Sequence, residues 1–191
     1  TAIKPRGYCY GVVNAINVVK EAVLKHPDKQ VYVLGIIIHN KFIKEALDEI
    51  GVISLVDKNK SKRELLDSID SGVIVFSAHG TSEELISIAQ SKNLIVYNAV
   101  CKDVVKTQDI VKEYLAKDYD VLYIGKAQHP ESEAMLSTSK NIKLISNLND
   151  LEDLVINDKT IVTNQTTMSV YDTKEVVDKI VQMNQNVTVI N

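Results

Sequence analysis

Nine side chains of this 191-residue sequence have the types and spacing to do chemistry together. Cys9 sits in GYCYG and Cys101 in NAVCK. His39 follows IIIH, His79 lies in FSAHG, and His129 and Glu131 form HPE. Gln165, Thr166 and Ser169 fall within NQTTMS. Three histidines with hydroxyls, an amide and helix N-termini make an anion pocket of a size that suits a diphosphate. In that pocket the imidazoliums supply charged donors, and Gln165 supplies amide geometry. Glu131 is the single acid of the set and can give or relay a proton. Two widely separated cysteines suit a metal centre at a symmetry axis. Three thiolates, one from each of three repeats, would hold an iron–sulfur cluster and leave one iron open to a substrate oxygen. Zinc held by Cys and His is a further option, although the close cysteine pairs of structural zinc sites are absent. Each residue alone also has a plain structural reading. A lone cysteine is a small buried hydrophobe, a histidine after a strand can cap a helix, and Ser169 can be only an N-cap.

The elements that must position this set alternate between strand and helix. Val12, Ile16, Val19 and Val23 recur at helical spacing and stop at His26-Pro27, where His26 reads as a cap or surface residue. The apolar run 31–38 predicts a strand buried on both faces. Further strands are expected at 52–56, 73–77, 94–97, 121–125, 142–145, 160–163 and 187–190, and a short one at 2–4. Helices are expected between them. Ser61 with Glu64 and Thr81 with Glu84 read as capping boxes, and 148–154 reads as a weak helix. This order predicts parallel sheets with short crossovers. Ligands of such sheets sit beyond the carboxyl ends of the strands, where the nine residues fall.

The order also repeats. Cys9 and Cys101 lie 92 residues apart, His39 and His129 lie 90 apart, and the strands at Ile74 and Ile161 lie 87 apart. Such a period is too long for a solenoid and suits a duplicated small α/β domain; once more forward, it would set a third cysteine at about 190–195. The expected fold class is therefore α/β, built of repeated small parallel-sheet domains around a central site. Two repeats are present here out of a pseudo-threefold arrangement in the complete protein. The expected division is an N-terminal strand at 1–9, a first domain at 10–98 and a second at 99–191.

Composition excludes other classes. Lys and Arg total 22 against 25 acids, for a net charge of −3, so no basic stripe supports nucleic-acid binding. No apolar run reaches membrane-spanning length. The first residues lack the apolar stretch of a signal peptide. Two distant cysteines make no disulfide framework, so a reducing cytoplasm is the expected compartment.

PRGYCYGV, HNK, FSAHG, HPE and TNQTTMS occur in an order and at a spacing that resemble the LytB-type 4-hydroxy-3-methylbut-2-enyl diphosphate reductases along the whole chain. The resemblance implies three similar α/β domains around a 4Fe-4S cluster, with Cys9 and Cys101 as two of its three cysteine ligands. It implies that His39, His79 and His129 line a diphosphate pocket, and that Glu131, with Thr166 beside it, delivers protons to the hydroxyl end of an allylic diphosphate. The implied reaction is a two-electron reductive dehydroxylation to isopentenyl and dimethylallyl diphosphate, fed by a donor such as a ferredoxin or flavodoxin. Under this resemblance the first strand belongs to a third domain. Three segments depart from the family pattern. NAVCK stands for DATCP and brings the Lys102 cation next to Cys101. Gln128 stands for the glycine before HPE, and Ile36 stands for an acid. A non-catalytic α/β module that binds an anionic or diphosphate ligand is the alternative from another class, and a zinc hydrolase is a third.

Overall fold

The computed structural model describes residues 8–190, so the strand expected at 2–4 lies outside the described residues. The chain divides into two compact units, Thr1–Lys102 and Asp103–Asn191.

The first unit carries helices α1 (Tyr10–Lys25), α2 (Lys41–Glu49), α3 (Lys62–Asp67) and α4 (Glu83–Ser91). They alternate with strands β1 (Val31–Leu34), β2 (Ile53–Leu55), β3 (Val73–Phe76) and β4 (Ile95–Asn98). All pairings are parallel, in the order β2-β1-β3-β4. Both faces of the sheet are apolar because helices cover both, which is why its strands read as unbroken apolar runs. Val33, Val73 and Val75 pack with Ala15, Val19 and Ala22 of α1 and Ile43 and Leu47 of α2. On the other face Ile74 and Phe76 pack with Leu66 of α3 and Ala89 of α4.

The second unit repeats this plan. Helix α5 (Lys102–Leu115) precedes β5 (Asp120–Ile124), α6 (Pro130–Leu136) and β6 (Ile142–Ile145). A 3₁₀ turn (Leu148–Leu151), β7 (Thr160–Asn164), α7 (Val170–Met183) and β8 (Thr188–Val189) complete it. The parallel order β6-β5-β7-β8 matches the first sheet strand for strand. Val121 and Tyr123 pack with Val111 and Met135 on one face, and Leu122, Ile124 and Val162 with Val176 and Ile180 on the other. The duplication seen in residue spacing is thus a duplication of topology.

Three elements differ from expectation for local reasons. The strand predicted over 31–38 stops at Leu34, because Gly35 turns the chain with φ +81°. Ile37 and Ile38 stay buried, so their apolar pattern reflects packing rather than pairing. The cap of α4 is Ser82, whose hydroxyl accepts from Leu85 N–H, in place of the box predicted for Thr81 and Glu84. Two adjacent hydroxyl residues left the register open, and the later one starts the helix. The helix predicted over 148–154 is a single 3₁₀ turn capped by Asn147. The box at Ser61 and Glu64 is present, and Ser169 caps α7 in a reciprocal pair with Asp172.

Candidate active site

In each sheet the chain runs outward in opposite directions from a central pair, β1 and β3 in the first unit, β5 and β7 in the second. The crevice beyond the carboxyl ends of such a pair is where open α/β sheets bind ligands. Apart from Cys9, whose preceding strand was expected outside the described residues, the expected site residues follow strand carboxyl ends in the two units.

In the first unit the segments after β1, β3 and β4 are laced together. Ala78 N–H donates to Ile37 O at 3.3 Å, and Ala78 O accepts from Cys101 N–H at 2.9 Å. These two bonds hold His39, His79 and Cys101 at one edge of the sheet. The rings of His39 and His79 lie 4.9 Å apart, tilted by 39°. Asn40 caps α2 by accepting from Ile43 N–H, which fixes the chain immediately after His39.

Cys9 is the N-cap residue of α1, and Gly11 follows in its first turn. A Cβ on Gly11 would lie 2.8 Å from Cys101 Sγ and 3.9 Å from Cys9 Sγ. Both sulfurs therefore face one point and are no farther apart than the sum of those distances. Gly11 is a site residue that spacing alone did not pick out; its signal was a glycine in the first turn of a helix, where alanine is normally preferred by about 1 kcal/mol. Lys102, expected beside Cys101, points its ammonium at the Tyr10 ring, 4.6 Å from the centroid. The residues that follow the two cysteines are thereby joined by a cation–π contact.

This close approach carries a prediction. Gly11→Ala is expected to push Cys101 Sγ away and weaken capture of a thiol-bridging arsenical by Cys9 and Cys101, at an overpacking cost of about 1–3 kcal/mol. An arsenical affinity equal to that of the unmodified chain would show that the sulfurs do not share this space.

In the second unit Glu131 is 1% exposed although it carries a carboxyl. Thr166 N–H donates to Oε1 at 2.8 Å and Thr166 Oγ1 to Oε2 at 2.9 Å. The Tyr123 hydroxyl donates to Oε1 at 3.2 Å. Burial raises the proton affinity of Glu131 above the ordinary carboxylate range, and the Thr166 and Tyr123 donors offset part of that rise. Thr166 itself is exposed, so it stands between the buried carboxyl and solvent. This is the arrangement of a carboxyl that holds its proton more tightly than an exposed one and can release it through one hydroxyl.

His129 and Gln165 make hydrogen bonds within the second unit. His129 caps α6 with Nδ1 accepting from Glu131 N–H at 3.2 Å. Gln165 is buried, and its amide is engaged within the protein. Oε1 accepts from Lys126 N–H at 3.0 Å and from the Ser132 hydroxyl at 3.3 Å, and Nε2 donates to Thr167 Oγ1 at 2.6 Å. With Gln165 N–H donating to Ile124 O at 2.8 Å, this residue ties the end of β5 to the segment after β7. It positions Thr166 over Glu131. Gln128, one residue before His129, has φ +60°, a conformation glycine adopts freely and other residues reach at about 1–2 kcal/mol.

The donor set suits a soft metal in one respect, since two thiols share one cradle. Among the described residues no group of three or more His, Cys, Asp and Glu side chains gathers as a metal site. Among the same residues no helix is long and apolar enough to cross a membrane.

A duplicated α/β fold of two parallel sheets is also what comparison with known proteins finds. The family model described as LytB protein matches residues 1–191, and the chain belongs to the LytB family. It is 41% identical over 181 residues to the 4-hydroxy-3-methylbut-2-enyl diphosphate reductase of Lysinibacillus sphaericus, with 93% of this chain and 55% of that protein covered. The reductase of the same name from Bacillus cereus is 44% identical over 181 residues, with 93% and 57% covered. Among solved structures, the E-1-hydroxy-2-methyl-but-2-enyl-4-diphosphate reductase of Plasmodium falciparum superposes with a TM-score of 0.85 at 30% identity, over 98% of this chain and 57% of that one. A structure of (E)-4-hydroxy-3-methyl-but-2-enyl diphosphate reductase, described as the terminal enzyme of the non-mevalonate pathway, gives 0.81 at 28%, over 97% and 64%. The chain spans little more than half the length of these curated relatives.

Proposed function

We propose that this chain carries the catalytic acid and two metal-ligating thiols of a reductase that removes the hydroxyl of (E)-4-hydroxy-3-methylbut-2-enyl diphosphate. The observation that carries the reading is the buried Glu131 carboxyl, held by Thr166 and Tyr123 beyond the carboxyl ends of β5 and β7. Glu131 gives a proton to the hydroxyl, which leaves as water when its carbon–oxygen bond breaks. Two electrons and a second proton complete the product, as isopentenyl or dimethylallyl diphosphate. Thr166 holds the carboxyl in register and passes protons to it from solvent. Cys9 and Cys101, facing one point across Gly11, are the two ligands this chain would give to a 4Fe-4S cluster. Such a cluster, when bound, supplies the electrons and a Lewis-acidic iron. A ferredoxin or flavodoxin would be its electron donor, and the reducing cytoplasm its compartment. His39 and His79, together at the β1–β3 crevice, and His129 at the start of α6, are the residues for the diphosphate.

Removing the imidazole of His39 or His79 is expected to weaken binding of inorganic diphosphate by about 1–3 kcal/mol, read by calorimetric titration. An unchanged affinity would take that histidine out of the anion site. The reading as a whole is tested by isolating the protein without oxygen. A brown protein with bound iron and sulfide supports it. A colourless protein with stoichiometric zinc, or one that binds diphosphate with no metal, overturns it.

A further inference from the structure

We propose that Tyr123 is a positioning residue for the Glu131 carboxyl, holding Oε1 from beneath while Thr166 holds it from the solvent side; this rests on the reading of Glu131 as the proton donor. Tyr123 is fully buried in an apolar cluster with Val111, Val121, Met135, Ile142 and Ile161. Its neighbours on that face are Val121 on its own strand and Leu144, Ile161 and Thr163 on the flanking strands, and a phenylalanine would fill the site without a hydroxyl to desolvate. Burying a hydroxyl is costly unless it is paired. The Tyr123 hydroxyl points at Glu131 Oε1, 3.2 Å away and also fully buried. A tyrosine at this strand position therefore answers to the carboxyl rather than to the core.

The direction of the bond follows from the electrostatics. Burial and the neighbouring carboxylate push the phenol well above its ordinary range, so its proton stays on oxygen and Tyr123 is the donor whenever Glu131 is ionised. The groups set against the Glu131 carboxyl are Tyr123 from β5 and Thr166 from the segment after β7. On its own element, His129 accepts from the Glu131 N–H. Each donor favours the ionised carboxylate, whereas burial favours the acid. Tyr123 thus supplies the donor that lets a carboxyl this deeply buried lose its proton and be recharged. Thr166 on its own would leave the Oε1 underside facing hydrocarbon.

The test is Tyr123→Phe, with the Glu131 carboxyl followed by carbon NMR across a pH titration and assigned by its absence in Glu131→Gln. Loss of one donor to the ionised form is expected to raise the proton affinity of Glu131 severalfold, moving its titration to higher pH. In turnover, the alkaline limb of the pH–rate profile should move up by the same amount. An unmoved Glu131 titration overturns the proposal, even if the variant is less stable, because a merely structural tyrosine would change stability alone. Should Tyr123→Phe fail to fold, the phenol carbon of Tyr123 in the unmodified protein serves instead. Its shift must follow the Glu131 titration and lose that dependence in Glu131→Gln, and a shift indifferent to Glu131 overturns the proposal. The titration needs neither substrate nor metal, so it stands apart from the reductase reading, which fails separately if Glu131→Gln turns over at full rate.

Discussion

Glu131→Gln is expected to lower turnover by roughly 10²–10⁴-fold, the usual worth of a positioned acid, while iron content and diphosphate affinity stay as they were. Glutamine has the shape of the acid and can still pair with Thr166 and Tyr123, with its NH₂ donating to the Thr166 hydroxyl. It has no proton to give. The same variant tests the electrostatics of the site through stability. Burial raises the folded proton affinity of Glu131 above the ordinary value of 4.5, so the folded chain binds more protons here than the unfolded chain as pH rises past that value. Stability from this group is therefore greatest at low pH and falls as pH climbs through the window. Glu131→Gln removes that fall, and its stability relative to the parent should grow as pH rises. Urea unfolding at several pH values measures the difference. A variant whose stability tracked the parent at every pH would mean that Glu131 is ionised as easily folded as unfolded.

Cys101→Ser is expected to strip iron from the protein and leave the fold in place. The half-buried side chain is replaced by one of nearly the same shape, and the Cys101 N–H bond to Ala78 O is a backbone bond that serine keeps. What is lost is the thiolate, the soft ligand that iron–sulfur centres require. Iron and sulfide assays alongside circular dichroism separate the two effects. A normal iron content with native secondary structure would remove Cys101 from the ligand set. Loss of structure along with iron would make the residue a packing element.

Much of the architecture was legible because two kinds of pattern agreed. The recurrence of Cys, His and a buried strand at near-constant offsets matched the alternation of strand and helix, and both sheets share one strand order. The rule that ligands gather at strand carboxyl ends picked out His39, His79, His129 and Glu131 as candidates without coordinates, and each of them follows a strand end in the fold. What stayed hidden depends on three-dimensional distances. Tyr123 reads as one more large apolar residue of a buried strand, and only the fold shows its hydroxyl on Glu131. Gly11 reads as a tolerated helix glycine until Cys101 Sγ is found 2.8 Å from where its Cβ would be. Gln165 carries the same donors whether it serves a ligand or the backbone of Lys126, and its sequence neighbours do not distinguish the two. The early stop of β1 at Gly35 was masked by Ile37 and Ile38, which are buried without being paired.

The central claim is reductive removal of a hydroxyl from an allylic diphosphate. It is tested most directly by adding (E)-4-hydroxy-3-methylbut-2-enyl diphosphate to the anaerobically isolated protein with a reduced viologen dye and following dye oxidation and products together. The account predicts two electrons consumed per substrate, isopentenyl and dimethylallyl diphosphate as products, and almost no oxidation with Glu131→Gln. Binding of the diphosphate with no substrate-dependent oxidation would contradict it and leave an anion-binding α/β module.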